Sequence, residues 1–181
     1  YRDVTLSYRD KVQVAENGNH ITTPKLAEQK DGNVETQIQS KIKNTAKTLA
    51  KVFVEQQIFT KEGKAVSDLV RSVTKNLSGN ETADFKQTIL VNKPTLWTTK
   101  SYHPQLYVLK TKVYNEGQLV DVTEDTFGYR YFNWTAKDGF SLNGERMKFH
   151  GVSIHHDNGA LGAEENYKAT YRKLKLLKDM G

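Results

Sequence analysis

A chain of 181 residues has room for one full domain and part of another. Its 36% hydrophobic and 27% charged residues fit a soluble globular protein. No apolar run approaches a membrane span, and the absence of cysteine excludes disulfides and thiolate metal sites. The net charge of +6 is spread as single lysines, among them Lys41, Lys43, Lys110, Lys112, Lys173 and Lys175, with no compact stripe and no stacking aromatics beside them, which argues against a nucleic-acid partner.

Taken in chain order, residues 1–137 predict a succession of short strands. Residues 4–8 and 11–15 alternate apolar and polar side chains, and Glu16-Asn-Gly-Asn19 breaks the run. From Val34 the alternation is regular: Val34, Thr36, Ile38, Ser40 and Ile42 share one face, and Glu35, Gln37, Gln39, Lys41 and Lys43 share the other. Residues 49–59 repeat the pattern through Val52, Val54 and Ile58. Strands are further expected over residues 65–73, 85–91 and 107–113, and a last long run over 119–134. Turn residues separate them at Lys61-Glu-Gly-Lys64, Leu77-Ser-Gly-Asn80 and Asn115-Glu-Gly117. Pro94 and Pro104 bracket Trp97, marking a structured connection. About seven strands at roughly ten-residue spacing, with no helical period before residue 160, predict an antiparallel β-sandwich.

The pattern changes at Lys137-Asp138-Gly139. Residues 140–149 predict a hairpin, with Asn143-Gly144 supplying the two positive-φ positions of a tight turn. A strand is expected over 147–154, ending in His155-His156-Asp157, then a loop, Asn158-Gly-Ala-Leu-Gly162. A helix follows over about 166–180, with Tyr167, Tyr171, Leu174, Leu177 and Met180 as its apolar face. Strand, polar strand end, loop and helix make one βα unit, of the kind that opens a (β/α)8 barrel and handles substrate at the strand's carboxyl end. With no signal-peptide pattern at Tyr1 and a single βα unit before Gly181, the sequence is expected to be a fragment of a longer protein.

Four segments in register resemble a known family. Tyr1-Arg-Asp-Val-Thr-Leu6 is similar to the strand that leaves the amino-terminal jelly roll of glycoside hydrolase family two, the β-galactosidase and β-glucuronidase family. Asn92-Lys-Pro-Thr-Leu-Trp97 with His103-Pro-Gln-Leu-Tyr107 resembles its approach to a sandwich strand. Phe127-Gly-Tyr-Arg130 resembles its G-F-R strand. Phe140-Ser-Leu-Asn-Gly144 through Gly151-Val-Ser-Ile-His-His-Asp157 resembles its entry into the barrel. The resemblance implies an exit strand of a preceding jelly roll over 1–9, an immunoglobulin-like sandwich over 10–138, and a truncated start of the (β/α)8 catalytic barrel over 139–181. The His-His-Asp-Asn-Gly-Ala-Leu-Gly form looks like a β-galactosidase subgroup, so the implied parent is a retaining β-galactosidase acting on terminal β-D-galactosides, with a β-glucuronidase or β-mannosidase as the alternative. A non-catalytic, immunoglobulin-like carbohydrate-binding or adhesion module is the alternative from another class.

The resemblance also implies substrate-binding residues. His155 matches a histidine that reaches the sugar, where an imidazole can hydrogen-bond a hydroxyl and support developing charge. Asp157 is expected to orient a group of the site or to cap its loop. Where the family often has glutamate, this chain has His156, which a pleat would turn away from His155. Consecutive strand residues do not converge, so His155, His156 and Asp157 are not expected to hold a metal, and no cofactor is expected in this stretch. Retention needs two carboxyl groups about 5–5.5 Å apart. The resemblance implies that both lie on later strands, so no residue here is assigned as catalytic. The aromatics Trp97, Tyr107 and Trp134 and the cluster Phe127, Tyr129, Tyr131 and Phe132 are expected in the core or at a domain seam, with Arg130 bridging that seam. The apolar residues of the barrel segment predict self-association if left uncovered. A bacterial extracellular or cell-surface setting fits the lysine-rich, cysteine-free composition.

Overall fold

The computed structural model describes residues 4, 6–100, 104–164 and 166–180. Of the residues singled out above, Tyr1-Arg-Asp3, Thr5, His103 and Gly181 lie outside the described residues. Residues 9–147 form one compact unit; residues 148–181 belong to a second, together with the leading residues 1–8. The division therefore falls after Met147, past the hairpin that the sequence pattern assigned to the barrel.

The first unit is an antiparallel sandwich. One sheet runs β1 (Val12–Thr22), β2 (Asn33–Asn44), β6 (Thr82–Asn92). The other runs β4 (Val70–Arg71), β3 (Ala50–Thr60), β7 (Tyr107–Asn115), β8 (Gln118–Phe127), with β5 (Lys75–Leu77) also pairing β3. The chain lays down β1 and β2, crosses for β3 to β5, returns for β6 and crosses again for β7 and β8. This is the Greek-key connectivity of immunoglobulin-like sandwiches. A small third sheet, β9 (Phe132–Thr135), β10 (Gly139–Leu142) and β11 (Glu145–Arg146), follows in the same unit.

The alternation read from the sequence is what fills the interior. Val34, Thr36, Ile38, Ser40, Ile42 and Asn44 of β2 are all buried, and in β6 the buried set is Phe85, Gln87, Ile89 and Val91. Side chains of a strand point alternately to the two faces, so one face of each strand goes to the core and the other to water. Each fully buried Val or Ile contributes about 1.5–3 kcal/mol.

The core is split in two. One cluster gathers Val12, Val14, Ile42, Val52, Val54, Leu77, Phe85 and Val113; the other gathers Leu26, Val34, Ile38, Ile58, Ile89, Leu109 and Tyr129. A polar belt crosses between the sheets. Gln56 donates to Ser40 Oγ and Thr111 Oγ1, each at 2.9 Å, and Ser40 donates to Asn19 Oδ1 at 2.5 Å. Asn19 Nδ2 in turn donates to Thr123 Oγ1 (3.1 Å) and Asp125 Oδ2 (2.6 Å). Burying these groups is tolerable because most of their donors and acceptors are matched. The belt also fixes register, since a one-residue slip would turn the polar side chains out of it.

Three elements differ from the sequence expectation. Glu16-Asn-Gly-Asn19 does not end the first strand. The pairing with β2 shifts between Val14 and Asn19, so the segment is an irregularity inside an eleven-residue strand. A Cβ on Gly18 would lie 2.7 Å from Ala15 O and 2.9 Å from Lys41 O, so only glycine allows this close approach. Residues 65–73 yield only a bridge at Ala65 and the two-residue β4, because Ser67 and Ser72 donate to neighbouring carbonyls and accept from Ile58 N and Val54 N, satisfying the edge of β3 by side chain. A single helical turn, α1 (Leu26–Gln29), lies within the region read as strand-only. It is held by Leu26 burial and by Gln29 Oε1 accepting from Glu35 N at 2.9 Å.

Tyr129 is fully buried beside Tyr107 and Phe127, and its hydroxyl bonds Thr36 Oγ1 at 2.8 Å. Burial pushes its phenol well above the ordinary tyrosine range, with the Thr36 bond opposing in part. It therefore stays a neutral core side chain.

Candidate functional site

In the first unit the Trp97 connection, Tyr129–Tyr131 and the Asn143-Gly144 turn are knitted together. Trp97 N donates to Tyr129 O at 2.8 Å, and Asn143 Nδ2 donates to Trp97 O at 2.8 Å. Asn143 N donates to Tyr131 O at 2.9 Å while Tyr131 N donates to Asn143 Oδ1 at 3.2 Å. Asn143 sits at φ 53°, as its turn requires, and Gly144 follows at φ 84°. The Arg130 guanidinium lies 5.0 Å from the Trp97 ring centre. A Cβ on Gly128 would come within 3.0 Å of the Trp97 side chain, so glycine is what lets the indole lie there.

Asn143→Gly keeps the turn conformation and removes both side-chain bonds, so it should cost about 1–2 kcal/mol at roughly 1 kcal/mol per bond. Asn143→Ala, which adds the strain of a positive φ, should cost more. Urea unfolding of the two variants checks the order; equal stability of wild type and Asn143→Gly would show the clamp to be idle.

Core placement holds for Tyr107 and Tyr129, which are buried; Trp97 is half-buried, and Phe132 and Trp134 are not in the core, being 69% and 67% exposed within this chain. Phe132 stacks on Phe140 across β9 and β10 with ring centres 6.2 Å apart.

The second unit holds the histidines. Residues 148–155 join no ladder, so the strand expected over 147–154 is not formed as a barrel strand. A parallel strand is held by neighbours on its flanks, and none is present among the described residues. Pleat alternation therefore does not govern His155 and His156: both line one hollow of about 240 Å³, together with Asn158, Thr170 and Lys173. His155 also lines a second, more apolar hollow of about 490 Å³, shared with Val152, Asp157, Lys173 and Leu177.

The loop after His155 is closed on itself. Asp157 Oδ1 accepts from Gly159 N at 3.0 Å, Asn158 N donates to Gly162 O at 2.9 Å, and Asn158 Nδ2 donates to Glu164 O at 2.7 Å. The expected capping use of Asp157 is thus present as geometry, as its short side chain suits. A 3-10 turn, Gly159–Leu161, leads to α2 (Tyr167–Asp179), whose first turn is capped by Asn166 Oδ1 accepting from Ala169 N at 3.2 Å. Lys173 Nζ donates to the Asp157 backbone carbonyl.

The face of α2 turned inward differs from the one the period picked out. Tyr167, Tyr171, Leu174 and Met180 are exposed, while Ala169, Thr170, Lys173 and Leu177 are the half-buried residues. Sequence reasoning missed Lys173 and Asn158. A lysine at the centre of a half-buried stripe was the available signal, masked by the stronger tyrosine and leucine periodicity. Among the described residues no three His, Asp or Glu side chains converge as a metal site.

Carboxylates elsewhere are engaged in the sandwich. Glu124 pairs with Lys110 at 2.8 Å, and Asp125 accepts from Asn19.

The fold defines the class: an immunoglobulin-like antiparallel β-sandwich domain. The chain belongs to glycosyl hydrolases family 2, whose profile matches residues 18–130. It is similar over its whole length to a β-galactosidase of Bacteroides ovatus, at 34% identity over 181 residues, covering 20% of that protein. A β-glucuronidase of Bacteroides fragilis is 25% identical over 183 residues, 100% of this chain and 26% of that protein. Among solved structures, a family 2 member from Bacteroides cellulosilyticus superposes with a TM-score of 0.84 at 31% identity, over 96% of this chain and 23% of its own. A Bacteroides uniformis β-glucuronidase gives 0.81 at 25% identity, over 96% and 21%. The chain thus spans about a fifth to a quarter of the length of these relatives.

Proposed function

We propose that this chain is part of a retaining family 2 β-galactosidase that removes terminal β-D-galactosyl residues, supplying its immunoglobulin-like spacer and one wall of its sugar site. The observation that supports the substrate assignment is the end-to-end match at 34% identity to a β-galactosidase, against 28% and 25% for two relatives named as β-glucuronidases and matched over nearly the same span. In this reading His155 hydrogen-bonds a sugar hydroxyl and Asp157 shapes the loop that presents it. A β-glucuronidase is the second reading, supported by relatives of that name in Formosa agariphila and Streptococcus agalactiae.

Retaining hydrolysis needs a general acid/base and a nucleophilic carboxylate flanking the scissile bond. We place both outside residues 1–181. The expected result is hydrolysis of 4-nitrophenyl β-D-galactoside by the full-length protein in preference to the β-D-glucuronide, and no turnover of either by the isolated chain. Preference for the glucuronide would select the second reading. Turnover by the isolated chain above a matched blank would overturn the placement of the carboxylates.

A further inference from the structure

We propose that Lys173 is a positioning residue for the His155 loop, acting on the sugar-contacting imidazole through the backbone carbonyl of Asp157; the inference rests on the role proposed for His155.

Three observations lead to it. First, Lys173 stands where packing alone would place an apolar residue. The half-buried stripe of α2 is Ala169, Thr170, Lys173 and Leu177, and a lysine at its middle gives up water around part of a long, flexible side chain. Its four-carbon stem can cover the apolar lining of the larger hollow, beside Val152 and Leu177, while the ammonium reaches beyond it. A residue that departs from the local pattern is expected where function requires it.

Second, the ammonium has a defined target. It donates to the Asp157 backbone carbonyl, two residues past His155, and so ties the start of the loop to the helix. Bonds from Gly159 N to Asp157 Oδ1 and from Asn158 to Gly162 and Glu164 close the loop on itself. The charge-assisted bond from Lys173 adds a tie from an element outside the loop.

Third, Lys173 lines both hollows that His155 lines. A change in its length or charge therefore alters the space beside the imidazole as well as the loop's anchor. Displacing a reacting group's partner by about 1 Å can cost about 100-fold in rate.

The test is made in the full-length protein with 4-nitrophenyl β-D-galactoside, comparing Lys173→Met, Lys173→Arg, His155→Ala and the double variant His155→Ala/Lys173→Met. Methionine keeps the stem and helix propensity and removes the donor; arginine keeps a donor that can reach a carbonyl. Lys173→Met is expected to lower kcat/KM by about 10- to 100-fold with an unchanged unfolding midpoint. Lys173→Arg should stay within about threefold of wild type, and Lys173→Met should cost no more than about threefold once His155 is already alanine, because groups acting as one unit are not additive. The inference is overturned if Lys173→Met keeps wild-type kcat/KM while His155→Ala loses it, if arginine fails as methionine does in step with lost folded protein, or if the two substitutions multiply independently. His155→Ala at full activity would overturn the role of His155 first, and the inference with it.

Discussion

His155→Ala in the full-length protein is expected to lower kcat/KM for a β-galactoside by about two to four orders of magnitude, the scale of losing one polar group that acts in the transition state. The reasoning runs from the site's position. His155 opens the loop pinned by Asp157 and Asn158 and lines the two hollows described above. His156 shares only the smaller hollow, so His156→Ala should cost far less. Steady-state kinetics on both variants decides it. If His156→Ala proved the more damaging, the sugar-facing position would be off by one residue, and equal losses would point to a loop effect common to both.

Phe85→Ala is expected to destabilise the sandwich by about 3–5 kcal/mol, most of the margin by which a small domain is folded. Phe85 is buried on the inner face of β6, in the cluster with Ile42, Val52 and Val113, and Lys75 Nζ lies 4.9 Å from its ring centre. Removing the ring forfeits its transfer energy and leaves a void between two sheets that cannot collapse without shifting strand pairs. Leu90→Ala, on the outer face of the same strand, should change stability by less than about 0.5 kcal/mol. Urea denaturation of the chain carrying each substitution tests the pair. Similar midpoints for the two variants would contradict the assigned inner and outer faces of β6.

Strands were legible where one face meets the core and the other meets water. In β2, the alternation from Val34 to Ile42 marks both the strand and its buried face, since each side chain's environment is decided by its parity. The same logic located β3, β6 and β7. It overextended β4, two residues inside the run 65–73, and was silent for β5, three residues long; both depend on pairing with β3. It was also silent for α1, a single turn that exists because Leu26 is taken into the core. Periodicity is a property of segments several residues long, so elements made by docking leave little trace in it.

The candidate site divides in the same way. The order His155-His156-Asp157, the Asn-Gly turns and the family resemblance are matters of covalent sequence, as are the absence of thiol chemistry and the alternating strands of an antiparallel sandwich. Other features were set only by three-dimensional contact: the irregularity at Ala15–Gly18, the polar belt from Gln56 to Asp125, the Asn143 clamp on Trp97, and the choice of Lys173 over Tyr171 for the inner face of α2. The physical reason is range. Propensity and pattern act between residues a few positions apart, whereas Asn19 meets Asp125 across 106 residues, and Lys173 meets Asp157 across 16. Such contacts form only after the intervening chain has folded, and their energies depend on burial that no local stretch of sequence specifies.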